Sequence, residues 1–157
     1  MEYWILQHNP AILRDCPNPP GVPTERTYWR ISRYANSVNI GDVAFIWYAG
    51  RKRGIYQVAK LVSVPPHRPD AENQIGLLWR SDFPCYDPEA RRRLGQHPSI
   101  LIDIQCELAS PLLVGELSRN GFADLPVIRM PWWGGIYKVE HSVGQRLLEY
   151  IRRTQRC

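Results

Sequence analysis

Lysine is nearly absent from this chain: only Lys52, Lys60 and Lys138 accompany 17 arginines. The positive groups are therefore planar guanidinium forks, which suit phosphate and the faces of bases better than point-charge ammonium does. Cysteine is sparse and scattered. Cys16, Cys85, Cys106 and Cys157 form no C-x-x-C pair and have no histidine at metal-ligand spacing, which excludes a recognisable zinc site. No apolar run approaches the ~20 residues of a membrane span, and the opening M-E-Y-W-I-L-Q has no basic n-region of a signal peptide. The expectation is a soluble, cytoplasmic protein with reduced thiols. Nucleophile-elbow, phosphate-loop and metal patterns are also missing, as are internal repeats and low-complexity tracts, so catalysis, a metal and a cofactor are not expected.

Acidic charge is in deficit as well. With 15 acidic against 20 basic residues the formal charge is +5, which favours an anionic partner. A GC-rich genome also yields arginine- and proline-rich, lysine-poor chains, so composition favours such a partner without requiring one. A length of 157 residues fits one domain, residues 1–157.

What is present concentrates in residues 43–61, V-A-F-I-W-Y-A-G-R-K-R-G-I-Y-Q-V-A-K-L. β-Branched and aromatic residues fill two arms, and Gly50 and Gly54 flank Arg51, Lys52 and Arg53, so the segment reads as a β-hairpin with a cationic tip. Trp29, Arg30, Arg33 and Tyr34 lie just upstream. Aromatic faces beside guanidinium groups suit a nucleobase held by stacking next to a neutralised phosphate.

Along the chain, residues 2–7 alternate as a first strand and His8-Asn9-Pro10 ends it. A proline-rich surface connection follows to Glu25, then a short helical turn over residues 29–38, and Asn39-Ile40-Gly41-Asp42 turns into the hairpin. Gly41 and Asp42 are read as turn residues only. Residues 75–80 form a short strand, and Asp87-Pro88 caps a helix that carries Arg91, Arg92 and Arg93, a run read first as a solvated face and second as a phosphate contact. Residues 99–108 alternate with Ile100, Ile102, Ile104 and Cys106 on one face. Ser110-Pro111 opens a second helix that Asn120-Gly121 closes; residues 127–130 read as a strand, 131–135 as a loop and 136–139 as extended. The last helix starts at Ser142 with a capping box to Gln145, and Val143, Leu147, Leu148 and Ile151 form its apolar stripe. This order of elements gives an α/β (α+β) fold, a curved mixed sheet flanked by helices.

Taken together, Y-W-I-L-Q-x-N-P from Tyr3, W-R-I-S-R-Y from Trp29, I-G-D-V-A-F-I-W from Ile40, G-I-Y-Q-V-A from Gly54 and a late P-L-L resemble the EVE domain, a relative of YTH domains in the PUA-like superfamily. The resemblance spans nearly the whole chain. It implies a PUA-like pseudo-barrel that binds DNA or RNA by accepting one modified base into an aromatic pocket. Carried over by position, it implies Asn9 beside the pocket, Trp29 and Trp47 as cage walls, main-chain groups of Arg30 and Ile31 at the base edge, and Trp79, Trp132 or Trp133 as the third wall. Arg33, Arg51, Lys52 and Arg53 are the expected phosphate contacts. The chain departs from the family where Pro131-Trp132-Trp133-Gly134-Gly135-Ile136 replaces a P-x-G-T-N-F-like segment.

The same residues have plainer explanations. Trp4, in an alternating strand, is read as core, and Trp29 and Trp47 can also be packing residues. A small enzyme acting on a nucleotide or nucleoside metabolite in the same pocket is one alternative function, and Cys106 with His141 or Asp103 with Glu107 are the pairs from which a nucleophile or acid-base pair could be assembled. The related ASCH domain uses a G-x-K-x-x-x-R motif, which the three lysines here do not fit. A protein-interaction module using the aromatic cleft is the other alternative.

Overall fold

Alternate residues of the first strand enter two different cores. Tyr3 and Ile5 pack with Val43, Phe45, Trp47 and the C-terminal helix, whereas Trp4 and Leu6 pack with Ala44, Ile46, Leu61, Ile100 and Ile102. A sheet buried on both faces needs near-continuous apolar strands, and Tyr3–His8 (β1) and Val43–Tyr48 (β3) are such runs, paired parallel. The computed structural model describes residues 1–8, 26–31, 33–65, 99–133 and 135–155. The further elements there are Arg26–Arg30 (β2), Gly54–Leu61 (β4), Ser99–Leu113 (β5), Ile136–Val139 (β6) and the helices Val114–Arg119 (α1), Pro126–Arg129 (α2) and His141–Thr154 (α3). A 3₁₀ turn spans Pro131–Trp133. The expected connection to Glu25, the strand at 75–80, the helix with Arg91, Arg92 and Arg93, and the residues Asn9 and Trp79 lie outside the described residues.

The six described strands form one mixed sheet in the order β2-β5-β4-β3-β1-β6. The hairpin is as expected: β3 and β4 pair antiparallel, and β5 lies beside β4. In a flat sheet β2 and β1 would stand four strand spacings apart, about 19 Å. Yet the Trp29 ring on β2 meets the His8 ring on β1 with centroids 6.2 Å apart. The sheet is therefore curled into a half-barrel with the Trp4 and Ile46 side inward. Register shifts at Ile46/Trp47, Ile55/Gln57 and Val58/Ala59 supply the bends. α3 covers the other face, and it lies flush because a Cβ on Gly144 would collide with the Tyr3 ring.

Several local expectations are corrected. Residues 26–30 are a strand where a helical turn was expected from Trp29, because pairing with β5 satisfies their backbone and Thr27-Tyr28-Trp29 suits a pleat. Ser110-Pro111 does not open a helix; β5 runs through it, and Ala109, Ser110 and Pro111 are accommodated in the bulge between the Gln57–Glu107 and Ile55–Leu112 pairs. Another shift at Val58/Ala59 turns Cys106 away from Ile100 and Ile102 onto the α3 side. Cys106 is also disulfide-bonded, against the expectation of a reduced thiol. Residues 126–129 are helical, with Pro126 at the first turn. α3 starts at His141, and the Ser142 hydroxyl bonds Glu140 (2.5 Å) in place of a capping box. The stripe of Leu147, Leu148 and Ile151 is buried as expected, with Val143 packed at its margin. No helix among the described residues is long and apolar enough to cross a membrane.

Asp42 does more than turn the chain. It is 1% exposed, and its carboxylate accepts from Glu2 N (2.8 Å), Asn39 N (2.9 Å) and the indole Nε1 of core residue Trp4 (2.9 Å). One side chain thus fixes the start of β1, the turn before β3 and the largest residue of the inner core. Asp42→Ala should lower unfolding free energy by about 3 to 5 kcal/mol, the loss of three charge-assisted bonds offset partly by water at Glu2 and Asn39. Asp42→Asn should lose roughly half as much, since its amide keeps one acceptor oxygen. Urea denaturation of the two variants checks this, and equal losses would contradict the role of acceptor count.

Candidate nucleic-acid interface

His8, the last residue of β1, continues the inward series of Trp4 and Leu6, and parallel pairing sets it opposite Tyr48, the last residue of β3. The His8 and Tyr48 rings are 4.5 Å apart at 61°, and Tyr48 meets Tyr56 of β4 at 4.8 Å and 42°. Tyr56 is the extra residue of the bulge opposite Ile46 and Trp47, which turns its ring onto Tyr48. Trp29 closes the row, edge-on to His8 at 90°. All four side chains are half-buried, so one margin of each row member packs on the barrel while the rest reaches solvent. Centroid spacings of 4.5–6.2 Å leave no gap for a base between neighbours, since a sandwiched ring needs about 7 Å between its two walls. These residues make a wall.

The cationic tip is tied to this wall. Tyr56 Oη donates to Lys52 O (2.9 Å), and Val114 N donates to Arg53 O (3.1 Å), so the turn is held from two sides. Gly54 ends the turn where a side chain cannot fit, because a Cβ there would strike the Leu112 carbonyl. Ala49 N donates to His8 O (3.0 Å), joining the tip's first residue to the end of β1. Arg51, Lys52 and Arg53 are exposed and form no ion pair among the described residues. Arg30 is exposed beside Trp29.

The expected pocket residues are not all together. Trp47 is 1% exposed and belongs to the α3-side core with Ile55 and Leu112, on the opposite face from Trp29. It cannot be a second wall with Trp29; strand alternation gives that inward direction to its neighbour Tyr48. Ile31 is fully buried in the inner core. Arg33 is no free phosphate contact: its guanidinium donates to Ile136 O (3.4 Å) and lies 5.9 Å from the Tyr137 ring centroid, fastening residues 33–38 to the edge of β6. Next to it Tyr34 adopts φ 59°, a conformation costly for a bulky residue, and its ring packs 5.4 Å from Trp4. Trp132 is 75% exposed on the 3₁₀ turn, and Trp133 follows it there. His8, Tyr48 and Tyr56 were missed from sequence. The first two had a readable signal: each is one inward step beyond a core residue, Leu6 and Ile46, at a strand end where a ring must straddle core and solvent.

The catalytic pairs weighed as an alternative do not assemble. Cys106 is in a disulfide and holds no thiolate, and Asp103 accepts from Gln105 Nε2 (3.1 Å) on the outer strand surface. Among the described residues no three histidine, cysteine, aspartate or glutamate side chains are grouped to hold a metal ion.

No family model and no curated protein sequence matches this chain. Solved structures do. A hypothetical protein from Leishmania major is similar at TM-score 0.64 and 15% identity, covering 98% of this chain and 96% of its own. The human THYN1 protein, solved in complex with 5-methylcytosine containing DNA, is similar at TM-score 0.60 and 15% identity, with 96% and 97% covered. A mutant ASCH protein from Zymomonas mobilis is similar at TM-score 0.53 and 11% identity, with 95% and 98% covered. At such identities the likeness shows the fold alone: this chain shares the fold of these proteins, and its curled mixed sheet flanked by helices is the architecture that the resemblance led one to expect.

Proposed function

We propose that this protein is a non-catalytic reader module that binds DNA or RNA and accepts one modified base against the ring wall at the barrel mouth. The observation that carries the reading is the bond from Tyr56 to Lys52, which locks a stacking surface to a basic hairpin tip. A base lying on such rings gains about 1 to 3 kcal/mol per stacked ring, and a desolvated methyl group adds roughly 0.8 kcal/mol. Together these offset an unstacking cost of a few kcal/mol, so a single-stranded or weakly paired base is the favoured ligand. Arg51, Lys52, Arg53 and Arg30 supply the sequence-independent phosphate term. The THYN1 neighbour, bound to 5-methylcytosine DNA on the same fold, supports this reading over the ASCH neighbour's. Asn9, Trp79 and Trp133 remain members of the proposed pocket.

Fluorescence anisotropy with single-stranded DNA and RNA 12-mers, each carrying one methylated or unmodified cytosine or adenine, tests the reading. Preference for one modified strand supports it, and equal weak binding of all strands overturns base recognition.

Charge and stacking should separate in variants. Arg51→Glu with Arg53→Glu should weaken modified and unmodified strands by similar factors. Losing two phosphate contacts on single-stranded DNA should also flatten the plot of log K against log salt by about 1.4. An unchanged slope would mean that the tip stays clear of phosphate.

Trp29→Ala should cost about 1 to 3 kcal/mol of affinity for the preferred modified strand and much less for unmodified strands. Trp47→Leu should instead lower the melting temperature and leave the ratio of modified to unmodified affinity unchanged, because Trp47 sits in the other core. Thermal unfolding and that affinity ratio, measured on both variants, check the assignment of faces.

A further inference from the structure

Trp132 stands out among the exposed apolar side chains, since at 75% exposure it presents nearly all of an indole to solvent. A tryptophan is usually among the most deeply packed residues, as Trp4 and Trp47 are here. An exposed ring on a floppy loop would mean little. This one stands on a braced support. Gln7 Nε2 donates to Pro131 O (3.3 Å), and Gln7 N donates to Gly135 O (2.8 Å), so the backbone on both sides of Trp132 is bonded to one residue of β1. The Tyr137 hydroxyl lies between Gln7 Oε1 (3.0 Å) and Met130 O (2.9 Å), which fixes the approach to the turn, and Met130 N donates to Pro126 O (2.8 Å).

Gln7 immediately precedes His8, and successive strand side chains point to opposite faces. The Trp132 support is thus fastened to one side of the end of β1, while the row of His8, Tyr48, Tyr56 and Trp29 lies on the other. The turn that carries Trp132 is therefore outside the wall, fastened to the same strand end on its other side. A nucleic-acid strand that lays one base on the wall and continues over the end of β1 would reach the side on which this turn is fastened.

Resting on the reader function proposed above, we infer that Trp132 is an outer stacking platform for the base next to the recognised one in a single-stranded stretch of nucleic acid. An indole face stacks on any base, so the platform adds affinity without reading sequence. It also restricts the substrate. A neighbour paired in a duplex cannot leave its stack for Trp132 without an added unpairing cost, so the platform favours unpaired flanking sequence.

The test uses the full chain, wild type and Trp132→Ala, with three probes. These are a single-stranded DNA 12-mer with one 5-methylcytosine, the same 12-mer with abasic sites on both sides of that base, and 5-methyl-dCMP as a mononucleotide. Trp132→Ala should bind the intact 12-mer about tenfold more weakly, with an unchanged melting temperature. On the abasic 12-mer wild type and variant should bind equally, because the base that Trp132 stacks on is gone. The mononucleotide should not distinguish the two proteins, and Trp132→Phe should recover most of the loss on the intact strand. Equal binding of the intact 12-mer by wild type and Trp132→Ala would overturn the platform, as would a tenfold loss that persists on the abasic strand or on the mononucleotide. If wild type itself binds no 12-mer, the reader function falls and the platform with it. If Trp29→Ala weakens binding and Trp132→Ala does not, the platform alone falls.

Discussion

Curling the sheet until Trp29 on β2 touches His8 on β1 is the constraint on which the rest of this molecule depends. A flat six-stranded sheet would leave two equivalent faces and no mouth. Curvature makes the faces unequal: the inner one closes on Trp4, Ile46, Leu61 and Ile100, and the outer one takes α3. The bends come from extra residues at bulges, and each extra residue also re-aims a side chain. Tyr56 owes its place against Tyr48 to one of them, and Cys106 its place on the outer face to another.

Two polar details set the inner core apart from the α3-side core. Asp42 collects three donors where the chain enters β3, one of them the Trp4 indole, so burying that indole leaves no unsatisfied N–H. Trp47 has no such partner. Among the described residues its Nε1 is buried with no acceptor, an arrangement that costs about 1 to 3 kcal/mol and is offset by the packing of a large ring against Ile55 and Leu112. The contrast separates two tryptophans of similar strand context, one hydrogen-bonded into place and the other held by shape.

The candidate interface inherits its rigidity from this framework. Its rings sit on the ends of paired strands, and its cations sit on a turn bonded to Tyr56 and to Val114. Under the proposed function, a stacking surface built on strand ends would lose little conformational entropy on meeting a base, which would leave more of the stacking energy for binding. Trp132 gains the same advantage from its bonds to Gln7, although it belongs to a connecting turn.

Local pattern alone determined much of this protein. Apolar and β-branched runs dictated β1 and the hairpin, Gly50 and Gly54 bounded a basic turn, the inward step of Trp4 marked it as core, and the spacing of Leu147, Leu148 and Ile151 set the buried stripe of α3. Those features follow from side-chain period and turn chemistry within a few residues. Register and curvature were decided only in three dimensions. Whether Trp47 or Tyr48 faces the mouth depends on which side of β3 becomes concave, and the partnership of Trp29 with His8 depends on the closure of a sheet whose strands are far apart in sequence. Pro111 could stay in β5 only because a bulge absorbed it, and Cys106 changed faces for the same kind of reason. A one-residue shift in pairing leaves the sequence pattern almost untouched and reverses the direction of every side chain beyond it, so the fold was legible along the chain and the ring wall was not.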